Sequence, residues 1–177
     1  MVEERSRHVV LVGLMGAGKT SVGARCAVAL GRPFVDTDEL VEATAGRTVS
    51  EIFASEGEDG FRARERIAVA DVCASPQPLV IACGGGAVLD PENRAAMRER
   101  GIVVWLRGTP ERLAERVGGG EGRPLLDGRA PVETLERLAV LRAAAYEAAA
   151  HVTIDTDEIG VEEVASRVME ELASCIG

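Results

Sequence analysis

The chain lacks lysine almost entirely: all but one of its 20 lysine and arginine residues are arginine, and the exception is Lys19. Aromatic residues are equally scarce, at 3% of the 177 residues, so the core must be built from aliphatic side chains. The formal net charge is −9. Proteins that bind nucleic acid usually present a basic surface to the phosphate backbone, so we expect no nucleic-acid partner. The arginines must instead meet acidic neighbours or a small anion.

Cysteine and histidine are also few. The chain has two histidines and four cysteines, with no C-x-x-C pair: Cys26, Cys73, Cys83 and Cys175. This spacing predicts neither a metal site nor a disulfide framework, and we expect small buried thiols in a reducing compartment. No apolar run approaches the roughly 18 residues of a membrane span, and the charged N-terminus is unlike a signal peptide. We therefore expect a cytoplasmic protein with no membrane partner.

What the chain does contain is a regular alternation of apolar and amphipathic segments. Strands are predicted at residues 8–12, 33–35, 79–83, 102–106 and 152–154, and helical patterns lie between them. This alternation predicts an α/β fold with a five-stranded parallel sheet and helices on both faces. The length suits one domain, residues 1–177. The glycine- and proline-rich residues 118–131 predict a mobile lid.

A phosphate-binding motif follows the first predicted strand. Residues 13–20 read Gly-Leu-Met-Gly-Ala-Gly-Lys-Thr, which fits G-x-x-x-x-G-K-T, and a helical pattern begins at residue 19. In such a loop the backbone N–H groups surround phosphates and the lysine acts as a compact point charge. The residues predicted to bind ATP are Gly16, Ala17, Gly18, Lys19, Thr20 and Ser21, with the Thr20 hydroxyl on Mg²⁺. The alternative is an accidental glycine-rich turn.

Two aspartates help to define the class of phosphate-binding protein. With one lysine the chain cannot carry the N-K-x-D motif that reads guanine, and the third predicted strand ends in glycines rather than in the acids of motor-type ATPases. Asp36 and Asp38 instead follow the second strand, at the sheet edge where the loop lies. We expect one to orient Mg²⁺ through water and the other to accept a proton from a substrate hydroxyl. The alternative is a solvated helix cap.

Further residues indicate a small anionic substrate. Gly84, Gly85 and Gly86 follow the third strand and leave room for a ligand against the main chain. Arg62 lies within pairing distance of Glu65 at i,i+3 of a helix. Arg123, in the predicted lid, is a candidate for a cation that reaches the transferring phosphate, or else an ordinary exposed loop arginine.

Six motifs, in order along the chain, carry a family resemblance. They are Gly-Leu-Met-Gly-Ala-Gly-Lys-Thr-Ser-Val-Gly at 13–23, Phe-Val-Asp-Thr-Asp at 34–38, Ile-Phe and Gly-Phe-Arg at 52–53 and 60–62, Cys-Gly-Gly-Gly-Ala-Val at 83–88, Arg-Pro-Leu-Leu at 123–126, and Leu-Arg-Ala-Ala-Ala-Tyr at 141–146. The set resembles the shikimate kinase family over nearly the whole chain. The resemblance implies transfer of the γ-phosphoryl group of ATP to the 3-hydroxyl of shikimate, on the route to chorismate and the aromatic amino acids. Because no exposed apolar stripe indicates an interface, we expect a monomer.

The resemblance also implies roles for particular residues. Lys19, Asp38 and Arg123 would be catalytic, with Asp38 on the reacting hydroxyl, and Asp36 would lie near Mg²⁺. The substrate-binding set would be Asp38, Arg62, Gly84, Gly85, Gly86 and Arg142, with residues 37–66 as the helical region that binds shikimate. Arg116 and Arg123 would contact ATP, Arg116 by stacking on adenine.

The chain departs from the family pattern at residues 155–160, where acids stand in place of an arginine that some members have near adenine. Two other functions remain open from the sequence. One is a kinase for another small hydroxy acid, such as gluconate. The other is a catalytically silent nucleotide-binding protein.

Overall fold

The computed structural model describes residues 7–117 and 130–176. Its centre is a five-stranded sheet in the order β2-β3-β1-β4-β5, in which every neighbouring pair is parallel. The strands are β1 His8–Val12, β2 Phe34–Asp36, β3 Val80–Ala82, β4 Gly101–Arg107 and β5 Val152–Asp155. The α/β fold and the five-stranded parallel sheet predicted from the sequence are confirmed.

Helices cover both faces of this sheet. They are α1 Lys19–Leu30, α2 Thr37–Ala45, α3 Val49–Cys73, α4 Pro91–Arg100, α5 Pro110–Val117, α6 Pro131–Ala149 and α7 Val161–Ile176, with a 3-10 turn at Ala87–Leu89. The crossovers from β1 to β2 and from β3 to β4 run in opposite directions across the sheet, so right-handed connections place α1 and α4 on opposite faces. α7 packs on α1, and α6 packs on α4. The crevice between β1 and β3 is therefore the point where ligands bind in such sheets.

The helical connection between β2 and β3 differs from its predicted form. The sequence indicates two separate helices between residues 49 and 72, whereas the structure has one element, α3, interrupted at Gly57 with φ 72° and ψ −174°. Glycine adopts this conformation without a steric penalty, so the chain bends there and continues as helix. A capping box between Thr48 and Glu51 defines the start of α3.

The core is aliphatic, as the shortage of aromatics requires, and its central strand β1 is buried along its whole length. Cys26, Cys73 and Cys83 are buried as predicted. The same prediction is wrong for Cys175, which is exposed. It lies in the last turn of α7, beyond Leu172, and Leu172 is the last residue of that helix found buried among the described residues.

Two further sequence predictions concern the lid and membrane-spanning helices. Residues 118–129, which include Arg123 and nearly all of the predicted lid, lie outside the described residues. Within residues 7–117 and 130–176, no helix combines the length and apolarity needed to cross a membrane.

Candidate active site

The loop between β1 and α1 depends on glycine at three positions. Gly13, Gly16 and Gly18 have φ values of 148°, 82° and 86°. A Cβ atom on Gly16 would lie 2.6 Å from the carbonyl oxygen of Leu113, and one on Gly13 would overlap the carbonyl oxygen of Leu106. Only glycine fits this path, which turns the backbone tightly into the N-terminus of α1. A helix N-terminus at a glycine loop is an anion-binding site.

Lys19 and Thr20 fix this loop to its surroundings. The Lys19 Nζ donates to the carbonyl oxygens of Gly13, at 2.9 Å, and Leu14, at 3.1 Å, so the ammonium lies across the loop. The Thr20 hydroxyl donates to Asp36 Oδ2 at 2.9 Å. The end of β2 is thereby joined to the start of α1.

A cleft of about 630 Å³ opens from the loop. The sequence-predicted residues that line it are Gly16, Gly18, Lys19, Thr20, Ser21, Asp36, Asp38, Arg62, Gly84, Gly85, Gly86, Arg116 and Arg142. Ala17 is not among them, because its side chain is buried in the core and its N–H donates to the Leu14 carbonyl at 3.2 Å. The fold thus brings together residues that are far apart in the sequence.

Asp36 is held by two different partners. Its Oδ1 accepts the backbone N–H of Asp38 at 3.0 Å and caps α2, while its Oδ2 accepts the hydroxyl of Thr20. The helix-cap alternative is therefore correct for one oxygen of this residue. The other oxygen lies beside the phosphate-binding loop.

Asp38 and Glu65 form the acidic part of the cleft. Asp38 Oδ1 and Glu65 Oε1 are buried and have no hydrogen-bond partner among the described residues. Both lie against Gly84, since a Cβ atom there would be 2.6 Å from Asp38 Oδ1 and still closer to Glu65 Oε1. Burial, followed by the charges of Glu65 and Asp36, raises the pKa of Asp38 to about 6. Burial also raises the pKa of Glu65. Two buried acceptors at one point suit the hydroxyl groups of a ligand.

Two guanidinium groups form the cationic part. Arg62 Nη1 donates to Glu65 Oε2 at 2.7 Å, which confirms the predicted i,i+3 pair, and Nη2 donates to Glu58 at 3.1 Å. Arg142 reaches the cleft from α6 and is only 3% exposed. A Cβ atom on Gly85 would lie 3.3 Å from Arg142 Nη1. Such paired guanidinium forks suit a carboxylate.

Sequence reasoning missed three residues that shape this region. Glu65 was expected only as a helix-surface partner, yet it is 1% exposed. Thr37 accepts the N–H of Gly84 at 3.0 Å, and the Tyr146 hydroxyl donates to the Gly85 carbonyl at 2.5 Å. A signal for Tyr146 was present: it lies four residues after Arg142 and hence on the same helix face.

The end of β5 and the loop after it are tied to the end of β4, to the loop before α5 and to α5 itself. Arg116 Nη1 donates to Thr156 Oγ1 at 3.0 Å, and Nη2 donates to the Thr156 carbonyl. Asp157 accepts the N–H of Thr109 at 2.9 Å, and Asp155 pairs with Arg107. The unexpected acids of residues 155–160 therefore have structural partners.

The oxygen donors beside the loop fit a magnesium ion. A hydroxyl and a carboxylate, from Thr20 and Asp36, are hard ligands of the type that Mg²⁺ prefers. Across the part of the chain that the structure describes, no three His, Cys, Asp or Glu side chains converge on a metal site. Mg²⁺ commonly uses few protein ligands and relies on substrate phosphates.

A glycine loop that opens onto buried carboxylates and arginine forks, at the switch point of a parallel sheet, is the arrangement of a P-loop kinase for a small hydroxylated anion. The model of the shikimate kinase family matches residues 15–173. A shikimate kinase of Symbiobacterium thermophilum is 54% identical over 167 residues, which cover 93% of this chain and 95% of that protein. The chain belongs to the shikimate kinase family.

Solved structures agree with this assignment. A shikimate kinase from Acinetobacter baumannii, in complex with shikimate, superposes with a TM-score of 0.93 at 38% identity and covers 98% of this chain and 96% of its own. A gluconokinase from Sinorhizobium meliloti has a TM-score of 0.61 at 22% identity, covering 96% of this chain and 93% of its own. The gluconokinase shares the fold alone.

Proposed function

We propose that this cleft transfers the γ-phosphoryl group of ATP to the 3-hydroxyl of shikimate, and that the residues described above divide the work. ATP-dependent phosphorylation of shikimate is the activity of the family to which the chain belongs. The observation that best supports the division is the arrangement around Gly84–Gly86, which places two buried, unpartnered carboxylate oxygens beside two arginines. A hydroxylated carboxylate needs both kinds of partner.

ATP occupies the loop end of the cleft in this proposal. The N-terminus of α1 and the backbone of Gly16 and Gly18 surround the phosphates. Lys19 exchanges the carbonyl oxygens of its loop for phosphate oxygens, a change that its flexible stem permits. Thr20 and Ser21 complete the site, and Arg116 lies beside the adenine.

Thr20 would hold Mg²⁺ directly and Asp36 would hold it through water. When bound, the ion neutralises charge on the β- and γ-phosphates during transfer. The hydrogen bond between the two side chains supports this assignment, because it places both oxygen donors at one point. Asp36 also caps α2, so its carboxylate keeps a fixed orientation.

Shikimate occupies the other end, against the helical region 37–66. Its carboxylate binds the forks of Arg62 and Arg142, and the backbone of residues 84–86 lies alongside its ring. Its 3-hydroxyl donates to Asp38. A pKa near 6 leaves Asp38 mostly ionised at neutral pH and still able to take a proton, which is the range expected of a general base.

The transfer step follows from this placement. The shikimate oxygen forms a bond to the γ-phosphorus while the bond from that phosphorus to the β,γ-bridging oxygen breaks, and the leaving ADP keeps the electron pair. The hydroxyl proton passes to Asp38. Lys19 offsets the charge that develops on the phosphates. Arg123 is a further candidate for offsetting this charge. Because it lies outside the described residues, its role is proposed from the family resemblance alone.

The proposal extends to the protein as a whole. We propose one domain that acts as a monomer in the cytoplasm, with no nucleic-acid or membrane partner. The net charge of −9 supports the absence of a nucleic-acid partner.

A substrate panel tests the proposed reaction. The protein is incubated with ATP, MgCl₂ and either shikimate or gluconate, and ADP release is followed by a coupled assay. We expect turnover with shikimate and none with gluconate. Turnover of gluconate alone would contradict the proposal. If no ADP is released with either shikimate or gluconate, the silent nucleotide-binding protein is favoured.

A further inference from the structure

Tyr146 contacts the substrate end of the cleft without lining it. It lies on α6, is 1% exposed, and its hydroxyl donates to the carbonyl oxygen of Gly85. Gly85 follows Gly84, whose N–H donates to the hydroxyl of Thr37. The glycine segment is therefore fixed from two sides, by a side chain of α2 and by a side chain of α6.

The same hydroxyl interacts with Arg142. The two residues are one helical turn apart on α6: burial raises the pKa of Tyr146 to about 12, and the nearby charge of Arg142 partly opposes this rise. Arg142 Nη1 would in turn lie 3.3 Å from a Cβ atom on Gly85. A phenol can accept one hydrogen bond and donate another. Here it donates to the Gly85 carbonyl at 2.5 Å, which leaves its oxygen as an acceptor for the neighbouring guanidinium.

The ring of Tyr146 is placed by a separate set of contacts. It stacks on Trp105 of β4 with a centroid distance of 5.2 Å and an interplanar angle of 14°. It also lines a mainly apolar cavity of about 290 Å³, together with Trp105 and Leu113. The ring contacts contribute to packing, whereas the hydroxyl contributes only polar contacts at the substrate end. The two contributions can therefore be separated by mutation.

We propose that Tyr146 is a positioning residue for the substrate carboxylate, whose hydroxyl holds the Gly85 peptide and the Arg142 guanidinium in a fixed relation. The inference rests on the proposed function, since it takes Arg142 and Gly85 as substrate contacts. Without the hydroxyl, Arg142 keeps its charge but loses a fixed orientation. Binding of shikimate then weakens while ATP binding changes little, because Gly85 meets the phosphate-binding loop only at the backbone of Gly13 and Leu14, which the hydroxyl does not touch.

The test compares Tyr146→Phe with Trp105→Phe. The first removes only the hydroxyl, and the second disturbs the ring packing while it leaves the hydroxyl in place. For Tyr146→Phe we expect the KM for shikimate to rise about three- to tenfold, the range that loss of one or two hydrogen bonds gives, with the KM for ATP unchanged. For Trp105→Phe we expect a lower Tm and a KM for shikimate near that of the wild type.

Arg142→Lys and the double variant Arg142→Lys/Tyr146→Phe complete the test. If Tyr146 acts through Arg142, the two effects on the KM for shikimate are less than multiplicative. Three results would each overturn the inference. They are multiplicative effects of the two substitutions, a Tyr146→Phe variant in which the KM values for shikimate and ATP rise equally, and a Trp105→Phe variant whose KM for shikimate rises as much as that of Tyr146→Phe. An Arg142→Lys variant with the wild-type KM for shikimate would instead show that the proposed role of Arg142 is wrong. If Arg142→Lys is impaired while Tyr146→Phe has wild-type kinetics, the role of Tyr146 is refuted and that of Arg142 is not.

Discussion

Replacement of Gly86 by alanine tests the proposed substrate site through a single methyl group. Gly86 has φ −101° and ψ −4°, so alanine meets no backbone penalty there. Its Cβ atom would, however, overlap the guanidinium of Arg62. Because the obstacle is the far end of a flexible side chain, we expect Arg62 to move and the backbone to stay.

The size of the effect follows from what Arg62 loses. Its displacement removes the 2.7 Å bond to Glu65, a residue that is 1% exposed, and takes the guanidinium away from the substrate carboxylate. A hydrogen bond that involves a charged group contributes about 1.5–3 kcal/mol, which corresponds to roughly 10- to 150-fold in kcat/KM for shikimate. The KM for ATP should not change. Stability should fall by about 1.5–3 kcal/mol, or roughly 3–12 °C in Tm, because the buried Glu65 loses its charged partner.

Gly101→Ala is the matched control for this experiment. Its Cβ atom would lie 2.8 Å from Val10 Cγ2 and 3.1 Å from the Met97 carbonyl oxygen, so it also creates a clash, but one away from the cleft. We expect Gly101→Ala to lower the Tm at least as much and to leave both KM values unchanged. A folded Gly86→Ala protein with the wild-type KM for shikimate would refute the assigned position of Arg62. An equal loss of shikimate binding in Gly101→Ala would attribute the effect to general destabilisation.

Three further predictions concern catalysis and stability. Asp38→Asn removes the proposed base and should reduce kcat at least about 100-fold without lowering the Tm, because burial disfavours the charged carboxylate that it replaces; retained turnover would refute that role. Lys19→Met should abolish turnover, and binding of ATP by calorimetry should weaken while shikimate binding persists; activity near wild type would contradict the phosphate role. Burial lowers the pKa of His8 below its ordinary value of 6.5. Nδ1 of its neutral ring accepts the N–H of Leu79, and Nε2 donates to the Cys73 carbonyl. Its charged form is therefore disfavoured in the folded state, and the free energy of unfolding should decline as the pH drops below about 6.5. Urea unfolding should show a smaller decline in His8→Gln, and parallel pH profiles would rule out His8 as the cause.

Much of the fold could be predicted because its signals are local. The position of β1, the loop motif and the helix from Lys19 to Leu30 follow from hydrophobic pattern and glycine spacing, and the structure has them at the same residues. The break at Gly57 was not recognised as a bend within one helix, because a glycine in a helical pattern indicates an end and a kink equally well.

The grouping of the candidate residues in one cleft could be predicted from the sequence, but their contacts could not. Motifs identified Asp38, Arg62 and Arg142, which line one cleft in the structure. Burial is a tertiary property, so no local pattern showed that Glu65 would be enclosed, or that Asp38 would lie beside it with an unpartnered oxygen. The link from Tyr146 to Gly85 joins residues 61 positions apart and was invisible for the same reason.

The distribution of charge in the cleft determines how a substrate can enter it. Asp38 and Glu65 stand together at Gly84, so a carboxylate placed there would meet two acids, and like charges at close range cost several kcal/mol. Arg62 and Arg142 favour the carboxylate at the neighbouring glycines. We therefore expect a molecule that carries both a carboxylate and a hydroxyl to bind in one orientation, with its hydroxyl toward Asp38 and the phosphate-binding loop. The repulsion by the acids adds to this specificity, because the arginines alone would accept the carboxylate of many anions.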